Sequence, residues 1–205
     1  MQFSGIVKLS LPNKSVIDVY CDMVTDGGGW IVFQRRKSSS VSFERDWTTY
    51  ERGFGDLRGN FWLGLKALHS LTSVGSWTLR VDLKASDGDK GFAKYTNFKI
   101  GNQQTKYKLM YGKFSSGNIG DSLGIAKDSS FSTFDRDNDN WVDHCASNHK
   151  GGWWYNSCFY ANLNNLHPSI KKTGSVIKPA MMSWSRWKKV YGNIVFSEMK
   201  LKIGS

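Results

Sequence analysis

The chain has 205 residues, 40% of them apolar, enough for one large domain or two small ones with a sizeable core. No apolar run reaches the length of a membrane span, and the N-terminus lacks a signal peptide's basic-then-apolar pattern, so a secreted protein would have its targeting segment outside this chain. The formal net charge of +11 favours acidic partners such as nucleic acid, anionic glycans or bacterial envelopes, but its clusters (Lys171-Lys172, Lys188-Lys189, Lys200 with Lys202) are dispersed and form no polybasic tail.

Alternating apolar positions predict strands over Val16–Tyr20 and Trp30–Arg35, with Gly27-Gly28-Gly29 as a tight connection between them. Helical spacing follows over Asp46–Tyr50 and Leu63–Leu71, interrupted by Gly53-Phe54-Gly55. Strand-like runs then cover Trp77–Lys84, Phe92–Ile100 and Tyr107–Phe114, with turns at Asp87-Gly88 and Ile100-Gly101-Asn102, which together predict an antiparallel meander. From Gly117 to Pro179 periodicity fades into Ser, Asn, Asp and Gly; loops of that length are functional or disordered, and Trp141, Trp153 and Trp154 within it, with Trp184 just beyond, argue against disorder. Ile194–Ile203 closes the chain with a strand. Neither an internal repeat nor a linker is visible, and 9 Trp, 8 Tyr and 12 Phe suit a single loop-rich α+β domain with a core of large rings.

The irregular third carries the chemistry. Acidic side chains stand at alternate positions in a turn-prone stretch, Asp135, Asp137 and Asp139 with Asp143 beyond, the spacing that lets a loop aim oxygens at one centre. An EF-hand is rejected, because Asn140 stands where that loop needs glycine and Ala146 where it needs glutamate. Asp137, Asp139 and nearby carbonyls remain a plausible weak calcium site, with affinity on the order of 0.1–1 mM, against the alternative of a solvated turn. Cys145 and Cys158 bracket a Gly- and aromatic-rich loop, and a bridge there would contribute roughly 3 kcal/mol. Cys21 is then odd, which suggests a partner outside the chain.

Other chemistries find little support. His69, His144, His149 and His167 lack zinc-site spacing, and no nucleophile elbow, phosphate-binding loop or dinucleotide fingerprint occurs, so no enzyme is expected. Single-stranded nucleic acid binding would need exposed aromatics on a basic face, whereas Trp153-Trp154 reads as core or pocket wall.

Several motifs in register resemble the fibrinogen-related (fibrinogen C-terminal) domain family over about Ser4–Ile203. They are Val19-Tyr20-Cys21-Asp22-Met23 with Thr25 to Trp30, Phe33-Gln34-Arg35-Arg36, Gly53-Phe54-Gly55 and Phe61-Trp62-Leu63-Gly64. Phe131-Ser132-Thr133, the acidic loop, Cys145-Ala146, Gly152-Trp153-Trp154-Tyr155, Asn162-Leu163-Asn164 and Glu198-Met199-Lys200 continue in the family's order. The resemblance implies one domain over 1–205, cut short at its N-terminus, with Met1 and Gly204-Ser205 as additions at the ends. Its architecture would be a central antiparallel sheet, short helices and a long irregular calcium- and ligand-binding region.

By resemblance the calcium ligands fall on the carboxylates of Asp137 and Asp139 and the carbonyls of Trp141 and Asp143, with Asp135 a neighbour. The disulfide falls on Cys145–Cys158, and the missing partner of Cys21 lies upstream. In lectin members of the ficolin and tachylectin type the Ser157–Cys158 peptide would be cis, aiming the amides of Cys158 and Phe159 at an acetyl oxygen. The family's aromatic walls fall on His149, near Lys178, and on Val190 with Tyr191 beside it, and the usual histidine after the second cysteine is Phe159. The function implied is a secreted, calcium-binding pattern-recognition lectin of innate immunity. Its ligands would be acetylated or anionic microbial glycans, and its full-length form a homo-oligomer that neither binds nucleic acid nor inserts into membranes. The alternative is a protein-binding module of the receptor-ligand, clotting or adhesion type.

Overall fold

The computed structural model describes residues 3–170, 181–187 and 194–204. The chain opens with a hairpin, β1 (Gly5–Ser10) and β2 (Val16–Asp22), then β3 (Trp30–Arg36), helix α1 (Trp47–Arg52), two short strands β4 (Phe54–Gly55) and β5 (Phe61–Trp62), and helix α2 (Leu65–Thr72). There follow β6 (Trp77–Ala85), β7 (Lys90–Tyr95), β8 (Lys99–Ile100), β9 (Leu109–Met110), β10 (Phe114–Gly117), helix α3 (Cys145–His149), β11 (Ala161–Asn162), β12 (Ser183–Trp184) and β13 (Ile194–Ile203). The main sheet runs β1-β2-β3-β13-β6-β7-β10, with β4 and β5 attached beside β3, and every pairing in it is antiparallel. Among the described residues no helix is long and apolar enough to cross a membrane.

Most predicted elements form within a residue or two, and the departures have local causes. Asp46 caps α1 by accepting a 2.7 Å bond from the Thr49 amide, so the helix starts one residue later than its periodicity suggests. Gly53 ends it at φ +93°, where a Cβ would lie 2.5 Å from the Leu63 carbonyl oxygen. The predicted strand Phe92–Ile100 breaks into β7 and β8 because Asn97 turns left-handed at φ +52°; the run from Tyr107 shrinks to β9 and β10 because Lys106 and Tyr107 do the same at +54° and +51°. β1 and α3 were not expected from the sequence. The meander β6-β7-β10 forms, but the last strand β13 enters between β3 and β6, so the two ends of the chain share one sheet.

One face of this sheet packs on the aromatic core. Trp62 is central, with ring centroids 5.6 Å from Tyr50, 5.8 Å from Phe33, 5.9 Å from Phe131 and 6.0 Å from Trp154. Trp62 and Trp154 satisfy their indole N–H groups on the carbonyls of Tyr50 and Tyr107, at 3.0 and 2.8 Å, whereas those of Trp30, Trp47 and Trp153 are buried without a partner. Gly152 has no room for a side chain, since a Cβ would sit 2.7 Å from both the Phe131 and Tyr50 rings. Trp153 and Trp154 are fully buried, which removes them as stacking platforms for bases.

Charge fills the other face. Lys200, 2% exposed on β13, donates from Nζ to Asp22 at 2.6 Å and meets Glu198 at 2.8 Å and Asp82 at 2.9 Å, while Arg35 pairs with Glu198 and Arg80 with Asp82. Burial pushes the Asp22 carboxyl up, but the Lys200 ammonium and the Thr25 and Val24 amides more than reverse this and hold it well below the usual carboxylate range. A carboxylate depressed on folding contributes stability above its unfolded value and loses it as pH falls through the folded one. The urea midpoint is therefore expected to drop as pH is lowered below about 4, and Asp22→Asn to flatten that slope. A midpoint that stays constant down to pH 2 in the wild type would contradict this.

Candidate functional site

The irregular third is anchored before it does anything chemical. The Ser132–Trp153 bridge ties its two limbs, with mutual amide-to-carbonyl bonds of 2.9 and 3.1 Å. Asp135 points back to the core: its Oδ1 accepts the Trp47 amide at 2.9 Å and the Thr133 hydroxyl at 2.7 Å. That amide is one of the donors a helix leaves unpaired at its start, so Asp135 is occupied in holding α1.

Beyond it, the side chains of Asp137, Asp139 and His144 bring their ligand atoms within 4.8 Å of one another. Asp139 is half-buried and accepts the amides of Trp141 at 2.9 Å and Cys145 at 3.0 Å, whereas Asp137 accepts the Asp139 amide at 3.2 Å. Burial pushes the Asp139 carboxyl up; the two amides oppose the rise and the Asp137 carboxylate adds to it. Among the described residues neither carboxylate pairs with a lysine or arginine. The His144 Nδ1 is buried with no hydrogen-bond partner, 3.9 Å from Asp137. Two crowded carboxylates fit a hard, oxygen-ligated cation, to which the His144 nitrogen contributes no oxygen. Trp141 and Asp143 lie exposed in the same loop. From the sequence, His144 is weighed only as a zinc ligand and set aside on spacing; its place beside the carboxylates comes from the turn into α3.

A second group of predicted residues is stapled to this loop. The Cys145–Cys158 disulfide joins α3 to the opposite limb with Cα atoms 5.6 Å apart, and the Ser157–Cys158 peptide is cis. Asn140 and Asn156 form a clasp that the sequence did not disclose: the Asn140 amide donates to the Asn156 carbonyl at 3.0 Å, and their side groups bond at 3.2 Å. Asn156 is fixed in turn by its amide donating to the Cys158 carbonyl at 2.9 Å and its side-chain amide to Ile125 at 3.1 Å. The N–H groups of Cys158 and Phe159 donate to no acceptor among the described residues.

Around these amides Ser157 is exposed, and Cys158, Phe159 and His149 are partly buried. The His149 and Phe159 rings meet edge-on at 4.9 Å, with Tyr155 a further 5.9 Å from Phe159. Burial pulls the His149 imidazole below its ordinary value, so it is neutral at physiological pH. The wall is thus uncharged and aromatic. Lys178, Val190 and Tyr191, also expected here, lie outside the described residues.

The comparisons with known proteins agree with this architecture. The family model for the C-terminal globular domain of fibrinogen beta and gamma chains matches residues 2–203. Ryncolin-4 of Cerberus rynchops is 45% identical over 184 residues, covering 90% of this chain and 52% of its own length. Ficolin-3 of Homo sapiens is 46% identical over 164 residues, covering 80% of this chain and 55% of its own. The chain therefore spans about half the length of these relatives. The fibrinogen-like globe domain of human ANGPTL2 superposes with a TM-score of 0.92 at 35% identity, over 99% of this chain and 94% of that one. Lamprey fibrin D-dimer, solved with the peptide Gly-His-Arg-Pro-amide, gives a TM-score of 0.92 at 29% identity, over 100% of this chain and 71% of that one.

Proposed function

The chain belongs to the family of globular domains that end the fibrinogen beta and gamma chains, and from that premise we propose that it is an extracellular, calcium-binding lectin module for acetylated or anionic microbial glycans in innate immunity. The observation that carries the reading is the pair of adjacent amides at Cys158 and Phe159, without an acceptor among the described residues, beside a neutral aromatic wall. Two neighbouring N–H donors suit one acetyl oxygen, and the His149 and Phe159 rings suit the methyl and sugar faces next to it. Identities of 45% and 46% with a ryncolin and a ficolin support the lectin branch of the family.

Calcium would be held by the Asp137 and Asp139 carboxylates and the Trp141 and Asp143 carbonyls, where it would neutralise the crowded carboxylates. The protein's own residues then relay order to the amides: Asn140 clasps Asn156, Asn156 bonds the Cys158 carbonyl, and the disulfide fixes α3 to the same segment. No chemistry on the ligand is implied, since the disulfide occupies both nearby thiols. A single site of this kind would bind weakly, and avidity would come from linking several copies.

Calorimetric titration of N-acetylglucosamine tests this directly. Binding heat is expected in millimolar calcium and its loss in chelator; silence in both conditions would sink the acetyl reading. The second reading is a protein-binding module, supported by the lamprey relative solved with a peptide ligand. A protein target whose binding persists at saturating sugar would favour it.

A further inference from the structure

Asn13-Lys14-Ser15 is the chain's only Asn-x-Ser/Thr triplet, the acceptor pattern for an N-linked glycan. Such triplets arise often by chance, so its worth depends on where the fold puts it. It forms the tip of the β1–β2 hairpin. The ladder ends at the Ser10–Val16 pair, and residues 11–15 turn the chain: the Lys14 amide donates to the Leu11 carbonyl and the Leu11 amide to the Ser15 carbonyl, each at 2.8 Å. Pro12, Asn13, Lys14 and Ser15 are all exposed. None of these four takes part in the sheet ladder, so the turn can carry a bulky substituent without breaking one of its bonds.

Within the triplet the reacting groups already meet. Lys14 takes a left-handed φ of +67°, which folds Ser15 back on Asn13. The Ser15 amide and hydroxyl both donate to the Asn13 Oδ1, at 3.1 and 2.7 Å, and close an Asx turn. The hydroxyl that makes the triplet an acceptor thus touches the carboxamide to be modified. The Asn13 Nδ2 donates to no acceptor among the described residues. Beside the turn opens a cleft of about 600 Å³, bounded by Pro12 and Asn13, by Lys66, His69 and Ser70 of α2, and by Asn102 and Gln103. Its size is that of sites that hold small ligands, and its amide, hydroxyl and imidazole groups suit sugar hydroxyls. It shares no lining residue with the candidate site around Asp137, Asp139 and Cys158.

We propose that Asn13 is an N-glycosylation site, with room for the first sugars in the cleft along α2. The inference rests on the extracellular part of the proposed function and not on its ligand. The donor is an N-acetylglucosamine-terminated oligosaccharide carried on a polyprenyl diphosphate. Asn13 Nδ2 attacks the anomeric carbon of that sugar, and the new C–N bond replaces the C–O bond to the diphosphate. The diphosphate leaves with the electron pair, one amide proton passes to a base of the transferase, and nothing is oxidised or reduced.

The test is production of the chain in insect cells behind a cleavable secretion signal. Peptides spanning Asn13 are mapped from the cell and medium fractions alike, so occupancy is read whether or not export follows. A glycan mass is expected on that peptide, removed by a peptide N-glycosidase that leaves aspartate at position 13. Asn13→Gln and Ser15→Ala are expected to abolish it, and Ser15→Thr, which keeps the hydroxyl, to retain it. The same glycopeptide is expected in protein from the native source. A bare Asn13 in the insect cells overturns the proposal and leaves the extracellular reading standing. An occupied Asn13 there with a bare one in the native protein overturns it as well, and takes the extracellular reading with it.

Discussion

Replacing Lys200 with alanine is expected to lower the melting temperature by roughly 6–20 °C, the counterpart of a 3–5 kcal/mol loss when one partner of a buried ion pair is removed from a domain of this size. The ammonium faces Asp22, Glu198 and Asp82 at 2.6, 2.8 and 2.9 Å. Burial alone would pull it down, but Glu198, Asp82 and Asp22 together raise it above its ordinary value, so it is a firm cation. Without it, Glu198 keeps Arg35 and Asp82 keeps Arg80, but Asp22 is left with only the Val24 and Thr25 amides and the Thr25 side group. The same loss is expected from Lys200→Met, which restores volume without charge. Neutralising the surroundings as well, in Lys200→Met with Asp22→Asn, is expected to recover part of it, because a buried pair replaced as a unit costs far less than one broken in half. Calorimetric melts of the three variants decide the matter, and a drop of under 2 °C for Lys200→Ala would show the network to be ornamental.

This network also shows where the sequence stops being informative. Alternation in Val195-Phe196-Ser197-Glu198-Met199-Lys200-Leu201 identifies β13 as a strand, and its charges at every second position suggest a solvent-facing side. In the fold β3 and β6 flank it in the sheet, and their Arg35 and Asp82, in register with Glu198, join its charges in one largely buried network. Periodicity reports which residues share a face; it does not report which distant strands lie alongside. The same limit applies at the candidate site. Asp137 and Asp139 stand out because a ligand-like spacing is local, and Cys145 with Cys158 because a short bracket is local. The Asn140–Asn156 clasp joins two ordinary asparagines on opposite limbs, and His144 enters the carboxylate group through the turn into α3. Resemblance to a family placed the cis peptide at Ser157–Cys158, which no propensity scale would have suggested. Arg35 and Arg36 stand side by side and both are buried, which their charge in the sequence does not disclose.

Asp137→Ala and Asp135→Ala, two residues apart, are expected to fail in opposite ways. Asp137 is exposed and accepts a 3.2 Å bond from the Asp139 amide, a modest tie, so the apo variant should melt close to wild type. Its deficit would show only with calcium. For a site of 0.1–1 mM affinity, 10 mM calcium stabilises the wild type by about 1.4–2.7 kcal/mol, or roughly 3–10 °C, and Asp137→Ala should lose nearly all of that together with calcium-dependent sugar binding. Asp135→Ala removes the acceptor for the Trp47 amide and the Thr133 hydroxyl, and is expected to cost about 1 kcal/mol with calcium or without it. The calcium-induced rise in Tm should survive in that variant. If both substitutions abolished the rise alike, Asp135 would have to be counted among the cation's ligands and its bonds to α1 would be incidental. If neither did, the crowded carboxylates of Asp137 and Asp139 would hold no calcium, and the order at the Cys158 amides would rest on the disulfide and the asparagine clasp alone.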